Sequence, residues 1–259
     1  MKKWIISAAA LAAAAAHADD SAHAAIAKAW QQYRSGVESE QELVEVQVIQ
    51  AGQAQPNKMV WRRVRYGEQG QRLAIKFVQP AADLGLGLLV ERNANGGDQV
   101  WLRQPSWTSA RRIAGNRENK YFADTAFTFE DTKQLIAEPT SQFDYRYISQ
   151  GAAGSMVAAT PKPGTASGYA RRDIALNAQG VPLRIDYFDA GGKLLKTLSF
   201  EELEFPAPGR WRANRIVMTL ALDASRSTLI VHKRQFNIPL AEQMFSVQNL
   251  LETESANSK

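Results

Sequence analysis

The sequence predicts a mainly β domain with helices (α+β), built on one large antiparallel sheet that is curved or partly closed and carries helices on one face. Three observations predict it. About nine segments alternate apolar and polar residues with a period of two. Turn residues separate them at hairpin spacing. One amphipathic helix precedes them all, and nothing resembles alternating βαβ units.

The helix comes first. In "DDSAHAAIAKAWQQYRSGV", Ile26, Trp30, Tyr33 and Val37 recur at helical spacing; Asp20 or Ser21 can cap the start, and Ser35-Gly36 marks the end. Its aromatic face needs cover. "ELVEVQVIQ" opens the strands in a mostly apolar alternation. "MVWRRVRYG" sets Trp61, Arg63 and Arg65 against Val60, Val64 and Tyr66. "RLAIKFVQP" lines Leu73, Ile75 and Phe77 on one face, and "QVWLRQP" places Val100 and Leu102 opposite Trp101 and Arg103. "YARRDIALN", "VPLRIDYFD", "KLLKTLSFEELEF", "WRANRIVMTLALD" and "STLIVHKRQF" follow. Predicted turns fall at Gly67 to Gly70, Asn95 to Gly97, Asn177 to Gly180, Asp189 to Gly192 and Asp223 to Ser227. The stretch from Gly151 to Gly168 is rich in Gly, Pro and Ser and reads as a loop or flap. With no internal repeat, residues 19–259 form a single domain.

Residues 1–18 read as a cleaved signal peptide. Lys2 and Lys3 precede an apolar run from Trp4 to Ala16, and Ala16-His17-Ala18 supplies a small-x-small cleavage site before Asp19. The run is shorter than the ~20 apolar residues of a membrane span. Export to a bacterial periplasm is the expectation. The chain has no cysteine, which excludes disulfides, thiolate catalysis and Cys-ligated metals. Two lysines and no acids leave with the signal, so net charge falls from +5 to +3. That mild balance argues against nucleic acid as partner.

Candidate chemistry is sparse. The mature chain keeps His23 and His232, neither at metal-ligand spacing, and His232 reads as a solvated or core-edge strand residue. No G-x-S-x-G elbow or Walker sequence occurs, and "GLGLL" at 85–89 lacks the setting of a dinucleotide site. Adjacent Glu201 and Glu202 point to opposite faces of a strand. Thr128 followed by Asp131 fits a capping box at a helix start. Catalysis, metals and cofactors therefore have no motif behind them. Arginine clusters remain at Arg62-Arg63-Arg65, Arg111-Arg112-Arg117 and Arg171-Arg172. Some belong on a solvated strand face; others, beside aromatics at a cavity rim, would suit an amphiphile with an anionic head.

The segment "QVWLRQPSWTSARRIAGNRENKYFADTAFTFEDT" resembles the hallmark region of the outer-membrane lipoprotein-sorting family, the LolA-like periplasmic proteins associated with RND or MMPL-type exporters. Trp101-Leu102-Arg103-Gln104-Pro105 resembles its "WLYLP" strand, and Arg111 to Gly115 its "RRI-x-G". Phe122, Phe127, Phe129, Glu130 and Asp131 match its aromatic and acidic positions. "RLAIKFVQPAADLGLGLLV", "YFDAGGKLLKTL", "RWRANRIVMT" and the closing "STLIVHKRQFNIPLAEQMFSVQNL" extend the likeness over nearly all of the mature chain. The departure is "ADTAF" where "GSDF" is usual, with Ala123 and Asp124 replacing Gly and Ser, and Thr125 or Ala126 the aspartate.

The resemblance implies an incomplete antiparallel β-barrel, LolA/LolB-like, wrapped around helices with an apolar cavity between them. It implies a carrier or chaperone passing lipid or lipoprotein acyl chains between an inner-membrane RND/MMPL-type exporter and the outer membrane, with transient membrane contact. The cavity residues expected are Trp30, Tyr33, Leu73, Ile75, Phe77, Trp101, Phe122, Phe127 and Phe129. Rim, head-group or partner contacts are expected from Arg63, Arg65, Arg111, Arg112 and Arg117, with the stretch from Gly151 to Gly168 as a flap over the mouth. The alternative on the same fold is a non-enzymatic envelope sensor. A hydrolase using His232 is a third reading with little behind it.

Overall fold

A computed structural model describes residues 7–68, 70–93, 97–136 and 139–256. The start of the signal sequence, most of the turn at Asn95 to Gly97 and one residue of the turn at Gly67 to Gly70 lie outside them. The first helix, α1, runs from Ser7 to Arg34. The Ala-rich stretch continues the helix through Asp20 and Ser21, so neither serves as a cap while residues 7–18 remain attached. Its C-terminal signal stands: Gly36 follows at φ 66°, where the absence of a Cβ leaves room for Arg210 Nη2, 2.8 Å from the Cβ position.

Fourteen strands form one sheet among the described residues. They are β1 (Ser39–Gln50), β2 (Gln53–Ala54), β3 (Lys58–Gly67), β4 (Gly70–Gln79), β5 (Gly87–Asn93), β6 (Asp98–Arg103) and β7 (Arg111–Ile113). After a short helix, α2 (Phe129–Gln134), come β8 (Phe143–Gly151), β9 (Gly154–Pro161), β10 (Arg171–Asn177) and β11 (Pro182–Phe188). The last are β12 (Leu194–Ala207), β13 (Arg210–Leu220) and β14 (Arg226–Phe236). Two antiparallel meanders, β3 to β7 and β8 to β14, meet at β1, which pairs with both β3 and β14. β7 and β8 are the two edges and do not pair, so the barrel stays open.

The sequence signal undercounts this sheet. β8 places Phe143 and Tyr145 inward and was hidden by its polar outer residues. The expected flap from Gly151 to Gly168 instead contains β9, a central strand between β8 and β10. Its glycine reflects a close approach: a Cβ on Gly154, at φ 146°, would lie 2.0 Å from Leu176 O.

α1 lies on the inner face of the second meander, where Ile26, Trp30 and Tyr33 pack with Tyr187, Leu198 and Trp211. The inner face of the first meander buries Val64, Leu73, Leu88, Val90 and Val100 against Phe122, Phe129 and Ile136. A third cluster lies on the outside. Phe245 and Leu250, in the segment after β14, cover Ala74 and Leu89, with Trp101 beside them. Burial on both faces explains why "GLLV" in β5 shows no alternation.

Candidate functional site

The segment between β7 and β8 builds one wall of the site. Phe122 N donates to Phe127 O (2.8 Å), and Thr125 closes the loop by donating to Phe122 O from its amide (3.0 Å) and hydroxyl (2.7 Å). Ser227 Oγ of β14 accepts from Ala126 N at 2.8 Å, which ties the loop to the sheet. Ala123 and Asp124 hold φ of 56° and 59°, the left-handed region. Ala123 thus occupies the backbone conformation glycine favours. Just beyond, Thr128 and Asp131 complete the expected capping box of α2. Asp131 also accepts from Tyr169 Oη (2.8 Å) and pairs with buried Lys196, so loop, helix and sheet share one buried network. Glu130 takes Ser167 Oγ (2.6 Å) and Gly168 N (2.7 Å); burial nevertheless pushes its pKa up.

Between α1, this loop and strands β1, β3, β4 and β12 to β14 lies a hollow. Val44, Val46, Val60, Ile216, Leu229 and Val231 line its sheet side. It is a narrow slot. Its volume open to the centre of a water molecule is about 80 Å³, several times the roughly 10–15 Å³ that one water requires. Thr125 also lines a wider, solvent-open cleft of about 650 Å³ by the same measure, bordered by Tyr121, Asp124, Lys193, Leu222 and Arg226. Thr125 of the 121–128 loop thus borders both slot and cleft.

Of the expected cavity residues, Trp30, Tyr33, Ile75, Phe77, Phe122 and Phe127 line the slot. Leu73 and Phe129 are buried behind it, Phe129 with its ring 5.4 Å from that of Phe122. Trp101 is a correction: β6 turns it to the outer face, under the C-terminal segment, because Val100 and Leu102 take the inner phase. The expected rim arginines separate likewise. Arg63 points outward and is buried, donating to Gln41 Oε1 (2.6 Å) and Glu254 Oε2 (2.8 Å). Arg65 is exposed and paired with Glu242. Both fasten the tail and do not border the slot. Arg111, Arg112 and Arg117 are exposed on edge strand β7 and the turn after it, with Arg111 stacked 4.1 Å over Trp107. Strand parity decides the placements of Trp101, Arg63 and Arg65. His232 is an exposed residue of β14, 2.7 Å from Glu45 Oε2.

Sequence reasoning missed a buried charge cluster. Glu42 accepts from Arg62 (2.8 Å) and Arg234 (2.6 Å), which stand directly across from it on β3 and β14. Glu40 takes Arg212 in a two-pronged pair at 2.8 and 3.1 Å. Arg212 also donates to Tyr33 O and Trp211 O and stacks 3.7 Å over the Tyr33 ring. Glu42, Arg62, Arg212 and Arg234 line one end of the slot. Burial works against the charge on Glu42, but Arg62 and Arg234 outweigh it and hold its pKa at about 2. Glu40 is pushed up by burial and by Glu42, with Arg212 opposing. A signal was available: Glu40 and Glu42 share the phase of Val44, Val46 and Val48, and Arg62 that of Val60 and Val64.

An unclosed antiparallel barrel with a helix inside it and a slot between them is the LolA-like architecture. The chain belongs to the family described as "-like: Uncharacterized protein", which matches residues 69–252. Among solved structures it is similar to a domain from Vibrio parahaemolyticus named for outer membrane lipoprotein sorting, at 20% identity and a TM-score of 0.82, over 90% of this chain and 100% of that one. A DUF1329 family protein from Desulfovibrio piger gives 19% identity and a TM-score of 0.81, over 90% and 99%. A LolA superfamily protein from Nitrosomonas europaea gives 18% and 0.64, over 87% and 97%. At these identities the likeness is one of fold. No curated protein matches the chain.

Proposed function

We propose that the protein is a non-enzymatic periplasmic carrier that holds the acyl part of a lipid or lipoprotein in the slot. The observation that carries this reading is the slot itself: apolar side chains of the inner sheet face line it, and Thr125 of the 121–128 loop separates it from a wider cleft. Burying each methylene is worth about 0.8 kcal/mol, so about half a dozen supply roughly 5 kcal/mol toward keeping a tail out of water. In this reading residues 1–18 are a signal peptide removed on export, and cargo passes from an inner-membrane RND/MMPL-type exporter toward the outer membrane. Arg111, Arg112 and Arg117, exposed along an unpaired edge, are the proposed contacts with that partner or with anionic lipid surface.

Native mass spectrometry of protein purified without detergent tests the proposal. A co-purifying lipid mass, or saturable uptake of an apolar dye, is the expected result. Protein that is empty and takes up neither lipid nor dye would count against a carrier and favour the sensor alternative.

A further inference from the structure

The edge of the first meander carries positive charge that nothing beside it balances. Between positions 103 and 120 stand Arg103, Arg111, Arg112, Arg117 and Lys120 against one acid, Glu118, which is bound to Lys133 at 2.6 Å. The next acid, Asp124, faces Lys58 at 3.8 Å. Arg111, Arg112, Arg117 and Lys120 are exposed, and none of the five cations has an ion pair among the described residues. Elsewhere on the same meander Arg62, Arg63, Arg65, Arg72 and Arg92 each meet a carboxylate. Two aromatics stand among the unpaired cations: Trp107, half-buried beneath Arg111, and Tyr121, which is 56% exposed.

Arg111 stands across from Leu102 and Arg112 across from Trp101, so the two side chains leave opposite faces of β7. Only an approach along the edge meets both. A partner strand would find a template of three residues there, at the short limit of strand length. Exposed cations without fixed partners, set beside Trp and Tyr, suit a fluid anionic surface that attracts each charge separately. Building on the carrier reading, we propose that this edge docks on an anionic lipid bilayer along β7 and the turn at Gly115–Asn119. The attachment is electrostatic and reversible, and it weakens as salt screens the charges.

Co-sedimentation with phosphatidylglycerol/phosphatidylethanolamine vesicles tests this, using the chain from Asp19 onward so that Lys2, Lys3 and the apolar run contribute nothing. Wild type is expected to bind these vesicles, to ignore phosphatidylcholine, and to come off in about 0.5 M NaCl. Arg111→Gln/Arg112→Gln/Arg117→Gln/Lys120→Gln should weaken binding roughly fivefold per residue. A control of equal net charge, Lys28→Gln/Lys193→Gln/Arg226→Gln/Lys233→Gln, neutralises exposed cations elsewhere and should bind nearly as wild type does. Wild type that ignores anionic vesicles, a first variant that still binds, or a control that loses as much overturns the proposal. Binding to poly-glutamate but not to vesicles overturns it too and assigns the edge to an acidic protein. A misfolded variant does not shield it, because the cysteine-free chain allows an environment-sensitive dye on Ser109→Cys with every charge in place. That emission must shift to the blue on anionic vesicles, and the same dye on His232→Cys, on β14 in the middle of the sheet, must not. Lipid or dye uptake without vesicle binding keeps the carrier reading and overturns this inference alone. Vesicle binding by a protein that takes up neither supports the docking edge and removes the carrier reading.

Discussion

Arg212 is the side chain that fastens the inner helix to the sheet, and removing it should be severe. Its guanidinium makes two hydrogen bonds to Glu40, one to Tyr33 O at the end of α1 and one to Trp211 O, all in an environment where Arg212 is 1% exposed and Glu40 is 0% exposed. Arg212→Leu leaves Glu40 with only Arg234 at 3.3 Å and Arg62 at 3.9 Å. Breaking a buried pair from one side costs about 3–5 kcal/mol, because the remaining charge is stranded. Domains have about 5–15 kcal/mol in total, so the variant should lose a large share of its stability, with Tm falling by about 10 °C. Urea unfolding followed by tryptophan fluorescence reads this out. The double variant Glu40→Leu/Arg212→Leu removes both charges and should recover much of the loss. A single variant within 1 kcal/mol of wild type, or a double variant no better than the single, would refute the argument.

Four further outcomes follow from the same structure. Ala123→Gly should stabilise by about 1 kcal/mol, since φ 56° burdens alanine and not glycine; an unchanged or lower urea midpoint would contradict the strain. Ala213→Trp, on the slot wall, should abolish dye uptake while costing about 1–3 kcal/mol; retained uptake would place cargo elsewhere. Asp131→Asn strands buried Lys196 and should cost about 3–5 kcal/mol, with faster amide exchange in the 121–136 segment as the check. With acid, Glu42's contribution is complete above its ordinary pKa of 4.5 and is lost as pH falls toward about 2. Glu40, with its pKa raised, acts oppositely, favouring the fold at low pH and losing that contribution as pH rises through its folded value. Unfolding midpoints measured from pH 5 to 2 should therefore fall less steeply in Glu42→Gln than in wild type.

What was legible in the sequence is what depends on neighbours along the chain. Period-two alternation announced the antiparallel sheet, Ile26, Trp30 and Tyr33 announced the aromatic helix face, and Thr128 with Asp131 announced the start of α2. Six of the expected cavity residues meet at the slot: strand alternation fixed the phase of Ile75 and Phe77, helical spacing that of Trp30 and Tyr33, and the 121–128 loop brings in Phe122 and Phe127. β9 was concealed because its Gly- and Pro-rich flanks read as loop, although a strand needs only a paired neighbour on each side.

The sequence by itself determined the class of fold, the inner helix and most of the apolar lining. Only the tertiary structure decided that Trp101 and Arg63 face outward beneath the C-terminal segment, and that Glu40 and Glu42 meet three arginines at one end of the slot. The physical reason is range. Alternation and capping act over a few residues, whereas Glu40 finds Arg212 172 residues away only when β1 and β14 pair and set β13 beside them.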